Sequence, residues 1–462
     1  MGPVSYEALV AELFPRLTGG VQWGLERTRR LLSAVGDPHR SFRVLHVGGT
    51  NGKGSVAAHL DSVLRRAGHR VGLYSSPHLC SFRERLRIGG RPIEERALLE
   101  SAGRLWPMIL HEQASFFEAT TAISFLAMAA AGVETAVVEV GLGGRLDATN
   151  VVDPDVVVLT NVTMDHVQLL GPTLDRVASE KAGIMKPGVP IVTAEPDPAI
   201  LQVFRAAADA AGSSLRRTRL VLPGETDAPV PAGDAQVAEV AVSRRGTVFR
   251  LTGTSWGDLR LTTPLIGGHQ AMNAALAVHA LDAMWGARGP DAARPSLDDV
   301  RLGIADVHWP GRFQIEQIAG VTWLFDVAHN VAGIRSLVTA LDAVDLPSPL
   351  IALVGVLGDK DWRSILGPLH AAADRVILTS PPSAPAERSW NPAAALSASG
   401  LERGAVVDSF AGALEAAHAA ALPRRGTVLV TGSFHTVGDA MSALGLCRHG
   451  SDAQVAPPAF MR

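Results

Sequence analysis

The chain of 462 residues is 47% hydrophobic, 19% charged and 5% aromatic, a balance that can bury real cores and excludes a disordered polymer. Lys and Arg total 42 against 45 Asp and Glu, and the net charge of −3 gives no electrostatic case for a nucleic-acid or anionic-membrane partner. Two cysteines, Cys80 and Cys447, exclude a cysteine-rich zinc module and a disulfide framework, which points to a cytoplasmic protein.

At the N-terminus Glu7 and Glu12 fall where an export signal needs an uncharged apolar run. Beyond it, short apolar runs alternate with helical stretches, the pattern of an α/β doubly wound parallel sheet. Strands are predicted at Arg43 to Val47, Val71 to Tyr74, Thr135 to Val140, Val156 to Thr160 and Ile191 to Thr193. Each is almost unbroken in apolar character, as expected when helices cover both faces. Val56, Leu60, Val63 and Leu64 follow helical spacing and predict a helix over Ser55 to Ala67. Ala119 to Val133 runs fifteen residues without a charge, short of the roughly 18 that span a bilayer. Ser213 to Thr263 changes texture: turn residues cluster around Pro223 to Gly233 and alternating stretches follow, which predicts a small antiparallel β insertion. Leu261 to Leu281 is uncharged, but Pro264, Gly267, Gly268 and Asn273 interrupt it, so no membrane span is expected. A second βα series begins after His308-Trp309-Pro310-Gly311-Arg312-Phe313, with strands at Val321 to Asp326, Leu350 to Val356, Val376 to Thr379 and Thr427 to Thr431. The expected organisation is a P-loop-type domain over 1–309, a smaller Rossmann-like α/β domain over 310–448, and a loose tail over 449–462.

The sharpest chemical signal is Gly48-Gly49-Thr50-Asn51-Gly52-Lys53-Gly54-Ser55 between the first strand and its helix. Glycines let backbone N–H groups turn inward onto phosphate oxygens, and the helix N-terminus adds partial positive charge. Lys53 supplies a cation for the terminal phosphates and Ser55 a hydroxyl. A plain glycine-rich turn with Ser55 as helix cap is the competing reading. Glu139 near the end of its strand faces the same sheet edge, where ligands of open α/β sheets sit; it suits a Mg²⁺ ligand, and a strand-end salt bridge or helix cap is the competing reading. Asp165-His166 follows the next strand; alone, a histidine is more often a structural hydrogen-bonder, but this edge favours metal or phosphate contact. Lys181, on a helix, reads by itself as a solvated lysine. Asp326-Val327-Ala328-His329-Asn330 ends the second domain's first strand and suggests a site facing an interdomain cleft, with Arg312 placed to reach phosphates. These residues describe a two-domain Mg²⁺ and ATP enzyme and leave the second substrate unnamed.

The ordered set HVGGTNGKGS, SSPHL, VVEVGLGGRLDATN, SEKAGI, PGRFQI and DVAHN resembles the bacterial folylpolyglutamate synthase/dihydrofolate synthase family, relatives of the Mur ligases. The likeness runs from Gly24-Leu25-Glu26-Arg27 to Ser433-Phe434-His435-Thr436-Val437. It implies a ligase that joins L-glutamate to dihydropteroate or to a reduced folate through an acyl phosphate, with ATP as co-substrate. It implies that Thr50 to Lys53 hold ATP phosphates, that Ser76, Glu139 and His166 ligate Mg²⁺, and that Asn273, Arg312 and Asp326 contact ATP. It implies also that Lys181 is carbamylated and binds a second Mg²⁺, which reverses its reading as a solvated side chain. Trp23, Gly24, Ser115, Phe116, Phe117, Leu146, Asp147 and Ala148 match the pterin- or folate-binding stretches. Glu118 after Phe117 fits members that take dihydropteroate. The implied partners are small molecules alone, and the expected state is a monomer. Two alternatives stand beside this one. A Mur-type ligase acting on a UDP-linked precursor is disfavoured because no UDP-binding domain is evident before His46. A P-loop nucleotide switch is disfavoured because it leaves Asp326 to His329 unexplained.

Overall fold

The computed structural model describes residues 2–17, 23–222, 230–287, 294–453 and 455–461. Among them the apolar runs of the first domain become β1 (Arg43–Gly48), β2 (Val71–Tyr74), β5 (Thr135–Glu139), β6 (Val156–Leu159) and β7 (Ile191–Thr193), and two short strands not expected, β3 (Leu86–Ile88) and β4 (Arg91–Pro92), follow β2. They continue as β8 (Leu215–Leu220), β9 (Ala235–Ser243), β10 (Gly246–Thr254) and β11 (Gly257–Thr263). All join one sheet in the order β11-β10-β9-β8-β7-β6-β1-β5-β2-β3-β4. From β2 across to β9 every pairing is parallel. Strands β5 and β6 are buried along their whole length, which is why their sequences show no polar alternation.

The strand order reverses at β1, which pairs with β5 on one side and β6 on the other. Such a switch point opens a crevice at the carboxyl ends of the strands. The loop after β1, Glu139 closing β5, and the segment after β6 therefore converge on one spot. The helix Lys53–Arg66 leaves the β1 loop and packs with the helix Gly268–Gly286, which is buried nearly all round. That burial accounts for the uncharged stretch there. Among the described residues no helix is long and apolar enough to cross a membrane.

The region expected as an antiparallel insertion differs in part. Strand β8 is parallel to β7, and β9 is parallel to β8; only β9, β10 and β11 are antiparallel to one another. The strands therefore extend the main sheet, because β8 offers β9 an edge at Thr218 to Leu220. Residues 223–229 of that region lie outside the described residues.

The second domain's sheet runs β12-β13-β17-β14-β15-β16, from β12 (Gln314–Ile318), β13 (Val321–Phe325), β14 (Leu350–Val354), β15 (Arg375–Leu378), β16 (Gly404–Val406) and β17 (Thr427–Thr431). Only β12, absent from the expected strands, is antiparallel. Its mixed exposure explains why no apolar run announced it.

The C-terminal segment is anchored, contrary to the loose tail expected. The Phe460 ring stacks on His418 with centroids 4.0 Å apart, and the Asp452 carboxylate accepts from Tyr6 Oη at 2.8 Å and from the Phe82 amide at 2.6 Å. The polar, Pro- and Ala-rich text hid two strong anchors. Nor are the cysteines free: Cys80 and Cys447 are joined, with their Cα atoms 5.9 Å apart across 367 residues of sequence. Their exclusion as a many-bridged framework stands, but a single bridge between distant residues leaves no local spacing to read.

Candidate active site

A cleft of about 890 Å³ opens between the domains and is lined by both. Its floor is the turn Gly49 to Gly52. Gly49 (φ +130°) and Gly52 (φ +89°) adopt backbone conformations that L side chains rarely reach, and a Cβ on Gly49 would collide with Thr160. A Cβ on Gly52 would lie 2.5 Å from Asn273 Oδ1, so Asn273 is packed directly against the loop and is held by Gln270 at 3.0 Å. The helix starts at Lys53 with Gly52 as its cap, which places Gly54 and buried Ser55 in its first turn; Ser55 does not cap it. Lys53 Nζ donates to the Thr50 carbonyl at 3.1 Å, curled over the loop it serves.

Glu139 stands above this floor, buried, and its Oε2 accepts from the Ser76 amide at 3.1 Å. Burial pushes its carboxyl up, while Lys53, the Ser76 amide, Arg312 and Arg85 oppose that. His166 lies across the cleft in a left-handed backbone conformation (φ +51°). Such a conformation in a non-glycine residue at a cleft points to function. Burial and the Lys360 charge lower its imidazole to about 4, so it is neutral near pH 7.

Lys181 is not a solvated lysine. On the helix Leu174–Ala182 it is 4% exposed, and its Nζ donates to the Gly49 carbonyl at 2.8 Å beneath the loop. Burial first, then the Lys53 charge, lower its ammonium to about 7.

From the second domain, the Asp326 carboxylate accepts from the amides of Phe313 and Ala328, both at 2.9 Å, which ties the entry of β12 to the turn after β13. Arg312 is half-buried beside it, its guanidinium 5.0 Å from the Phe434 ring centre and within electrostatic reach of Asp326 and Glu139. It is therefore a cleft residue. His329 Nδ1 lies 2.9 Å from the Val327 carbonyl, and its Nε2 lies 3.8 Å from Asp165; burial lowers it to about 4. Asn330 and Asn51 pair across the domains, with Asn330 Nδ2 3.0 Å from Asn51 Oδ1.

The proposed pterin wall divides. Phe117 lines the cleft, and both it and Asp147 lie 3.1 Å from where a Gly141 Cβ would be. Asp147 itself is committed to Leu142 and Thr149. Trp23, Gly24, Ser115, Phe116, Leu146, Asp147 and Ala148 do not line the cleft. Trp23 is 39% exposed, and 18–22 before it lie outside the described residues. Phe116 is buried, and Ser115 caps its helix in a reciprocal box with Glu118, whose carboxylate also pairs with Arg27 at 2.9 Å.

Three cations that line the cleft, Lys360, Arg85 and Arg388, were missed. Lys360 Nζ meets Asp165 Oδ1 at 2.6 Å. Leu357-Gly358-Asp359-Lys360-Asp361, a polar cluster after an apolar strand, carried the same signal as Asp326 to Asn330. Arg85 is buried, its guanidinium 4.9 Å from the Phe116 ring and its Nε 2.9 Å from His78 Nδ1; burial lowers it to about 10. Nothing in its local sequence marks it.

Both halves of the chain have counterparts among known proteins. The Mur ligase middle domain matches residues 47–281, and the Mur ligase glutamate ligase domain matches 311–434. The dihydrofolate synthase/folylpolyglutamate synthase of Bacillus subtilis is 33% identical over 383 residues, 81% of this chain and 85% of that protein. The Mycobacterium tuberculosis folylpolyglutamate synthase complexed with ADP superposes with a TM-score of 0.83 at 31% identity, over 95% of this chain and 97% of that one. The Escherichia coli protein solved with DHPP and ADP gives 0.80 at 32% identity, over 96% and 98%.

Proposed function

Since the chain belongs to the folylpolyglutamate synthase/dihydrofolate synthase family of Mur ligases, we propose that it is an ATP-dependent ligase adding L-glutamate to dihydropteroate and to reduced folates. The observation that carries this is the convergence in one cleft of the loop Thr50 to Ser55, Glu139, and the second domain's Arg312 and Asp326.

A carboxylate offers an amine no leaving group, so it must first be phosphorylated. In our reading the carboxylate oxygen attacks the γ-phosphorus of ATP and ADP leaves; the glutamate amine then adds to the acyl carbon, and phosphate departs. The protein's work is positioning and charge neutralisation. The loop amides, Lys53 and Arg312 would bear on phosphoryl oxygens, where charge-assisted hydrogen bonds are strongest. Asn273, against the loop, would contact the nucleotide, and Asp326 would hold Arg312 in place. Neutral His329 can accept a hydrogen bond from the incoming amine. Phe117 would offer its face to a flat pterin ring.

Among the described residues no three His, Cys, Asp or Glu side chains cluster as a ready-made metal site. The Ser76 hydroxyl, the buried Glu139 carboxylate and the neutral His166 imidazole fit an ion that completes its shell with waters and nucleotide phosphates, as Mg²⁺ does. We assign these three residues to that ion, and Lys181, as a carbamate, to a second. Bound there, Mg²⁺ would draw charge from the transferring phosphoryl group. Lys181 suits carbamylation because an amine lowered to about 7 is substantially neutral and nucleophilic at physiological pH.

The test is amino-acid-dependent phosphate release with ATP and Mg²⁺, with 7,8-dihydropteroate and tetrahydrofolate supplied separately and products identified by mass. Glutamate-dependent turnover with both is expected. Turnover with tetrahydrofolate alone would restrict the enzyme to polyglutamate synthesis; none with either would overturn the folate assignment.

A further inference from the structure

The bridge between Cys80 and Cys447 is not absorbed by the chemistry above, and its place is specific. The chain passes between the domains through the connection after the helix Leu297–Ala305, and the disulfide adds a second covalent path between them. Cys80 lies in the loop that carries Ser76, and Cys447 follows the helix Phe434–Ala443, whose first turn lines the cleft. The Ser76 loop also packs on that helix: a Cβ on Gly438 would collide with the Leu79 carbonyl. Beside the bridge, the Asp452 amide donates to the Cys80 carbonyl at 2.9 Å. Elsewhere the domains meet through contacts that can break and re-form, Asn330 with Asn51 and Lys360 with Asp165.

We propose that Cys80–Cys447 is a thiol–disulfide modification site that latches the Ser76 loop and the first domain to the second, and that full ligase turnover belongs to the reduced form. The reductant is a dithiol of the thioredoxin class. Cys447 is the less buried of the pair, so a thiolate of the dithiol attacks its Sγ and displaces the Cys80 thiolate, giving a mixed disulfide. The second thiol of the reductant then displaces Cys447. Two electrons and two protons pass to the cysteines, and the dithiol leaves as a disulfide. A small disulfide oxidant reverses the exchange. Disulfides in reducing compartments are characteristically transient or redox-sensing. Two domains around a cleft that must admit ATP and release ADP are the kind of element whose opening limits turnover.

The turnover part of this proposal rests on the ligase reading; the latch itself does not. The full chain is treated with oxidised or reduced dithiothreitol and alkylated, and its mass is read. Oxidised protein is expected to take no alkyl group, and reduced protein to take one at each cysteine. Hydrogen exchange across His308 to Phe313 is expected to be slower in the oxidised form. Glutamate-dependent turnover is expected to fall by about tenfold on oxidation, as for a restrained domain motion, and to recover with the dithiol. Cys447→Ser is expected to keep the reduced rate under both treatments. Free thiols after oxidation, or equal exchange and equal turnover in the two states, would overturn the proposal. An exchange difference without glutamate-dependent turnover in either state supports the latch while refuting the ligase reading.

Discussion

Lys360 Nζ of the second domain stands 2.6 Å from Asp165 Oδ1 of the first, and both side chains are nearly buried. Asp165 also accepts from Asn330 Nδ2 at 3.1 Å and faces His166 and His329. Burial alone would raise its carboxyl, but Lys360 and the two imidazoles more than offset that and hold it well below the usual carboxylate range. One carboxylate thus gathers residues of both domains at the mouth of the cleft.

Removing one member of such a pair strands the other. Asp165→Asn and Lys360→Met are each expected to destabilise the protein by about 3 kcal/mol, with the double variant losing less than the sum. Urea denaturation of the four proteins measures this; strictly additive losses would show that the pair carries no coupling.

Gly52→Ala places a methyl against Asn273 Oδ1 on a backbone that already has φ of +89°. Strain of about 1–3 kcal/mol is expected to weaken ADP binding about tenfold or more. Calorimetric titration reads it directly, and an unchanged ADP affinity would show that the loop shape does not govern nucleotide binding.

Lys53→Ala removes the cation curled over the loop. A fall of about 10²–10³ in turnover is expected, by analogy with the loss of one preorganised charge-stabilising donor, with an unchanged denaturation midpoint. Near-normal kinetics would withdraw Lys53 from phosphate contact.

Lys181 titrates near 7 in the folded protein and at about 10.4 when unfolded. Between those values the unfolded chain binds more protons, so stability should rise with pH across that window and be lost as pH falls toward 7. In CO₂-free buffer Lys181→Met should flatten this slope. Its ligase activity should collapse as well, and Lys181→Ala should recover part of its activity with added short carboxylates.

Phe117→Ala deletes the aromatic lip of the cleft, a ring 36% exposed. KM for the pterin-bearing substrate is expected to rise by about tenfold, the scale of one ring–ring contact, with KM for ATP unchanged. A change in ATP affinity instead would move Phe117 out of the pterin wall.

Much of this was legible in the text of the chain. Strands β1, β5, β6, β13 and β17 announced themselves because doubly covered strands are buried at nearly every position and so read as almost unbroken apolar runs. The loop Gly49 to Ser55 was legible because its glycines serve a local backbone shape. Lys181 was not: a lysine on a short helix looks the same whether its face meets solvent or the underside of another loop. Arg85 and Asp452 were hidden for the same reason, since their partners His78, Tyr6 and Phe82 are chosen by packing.

By itself, then, the sequence determined the alternation of strand and helix, the phosphate-type loop and the order of motifs that marks the family. These depend on periodicity and on dihedral preferences, which act over a few residues. Only the tertiary structure decided that β1 is the switch point, that Lys181 lies beneath Gly49, that Lys360 answers Asp165, and that Cys80 finds Cys447. Those are meetings of residues up to 367 positions apart, and they follow from which faces bury together; no spacing along the chain encodes them.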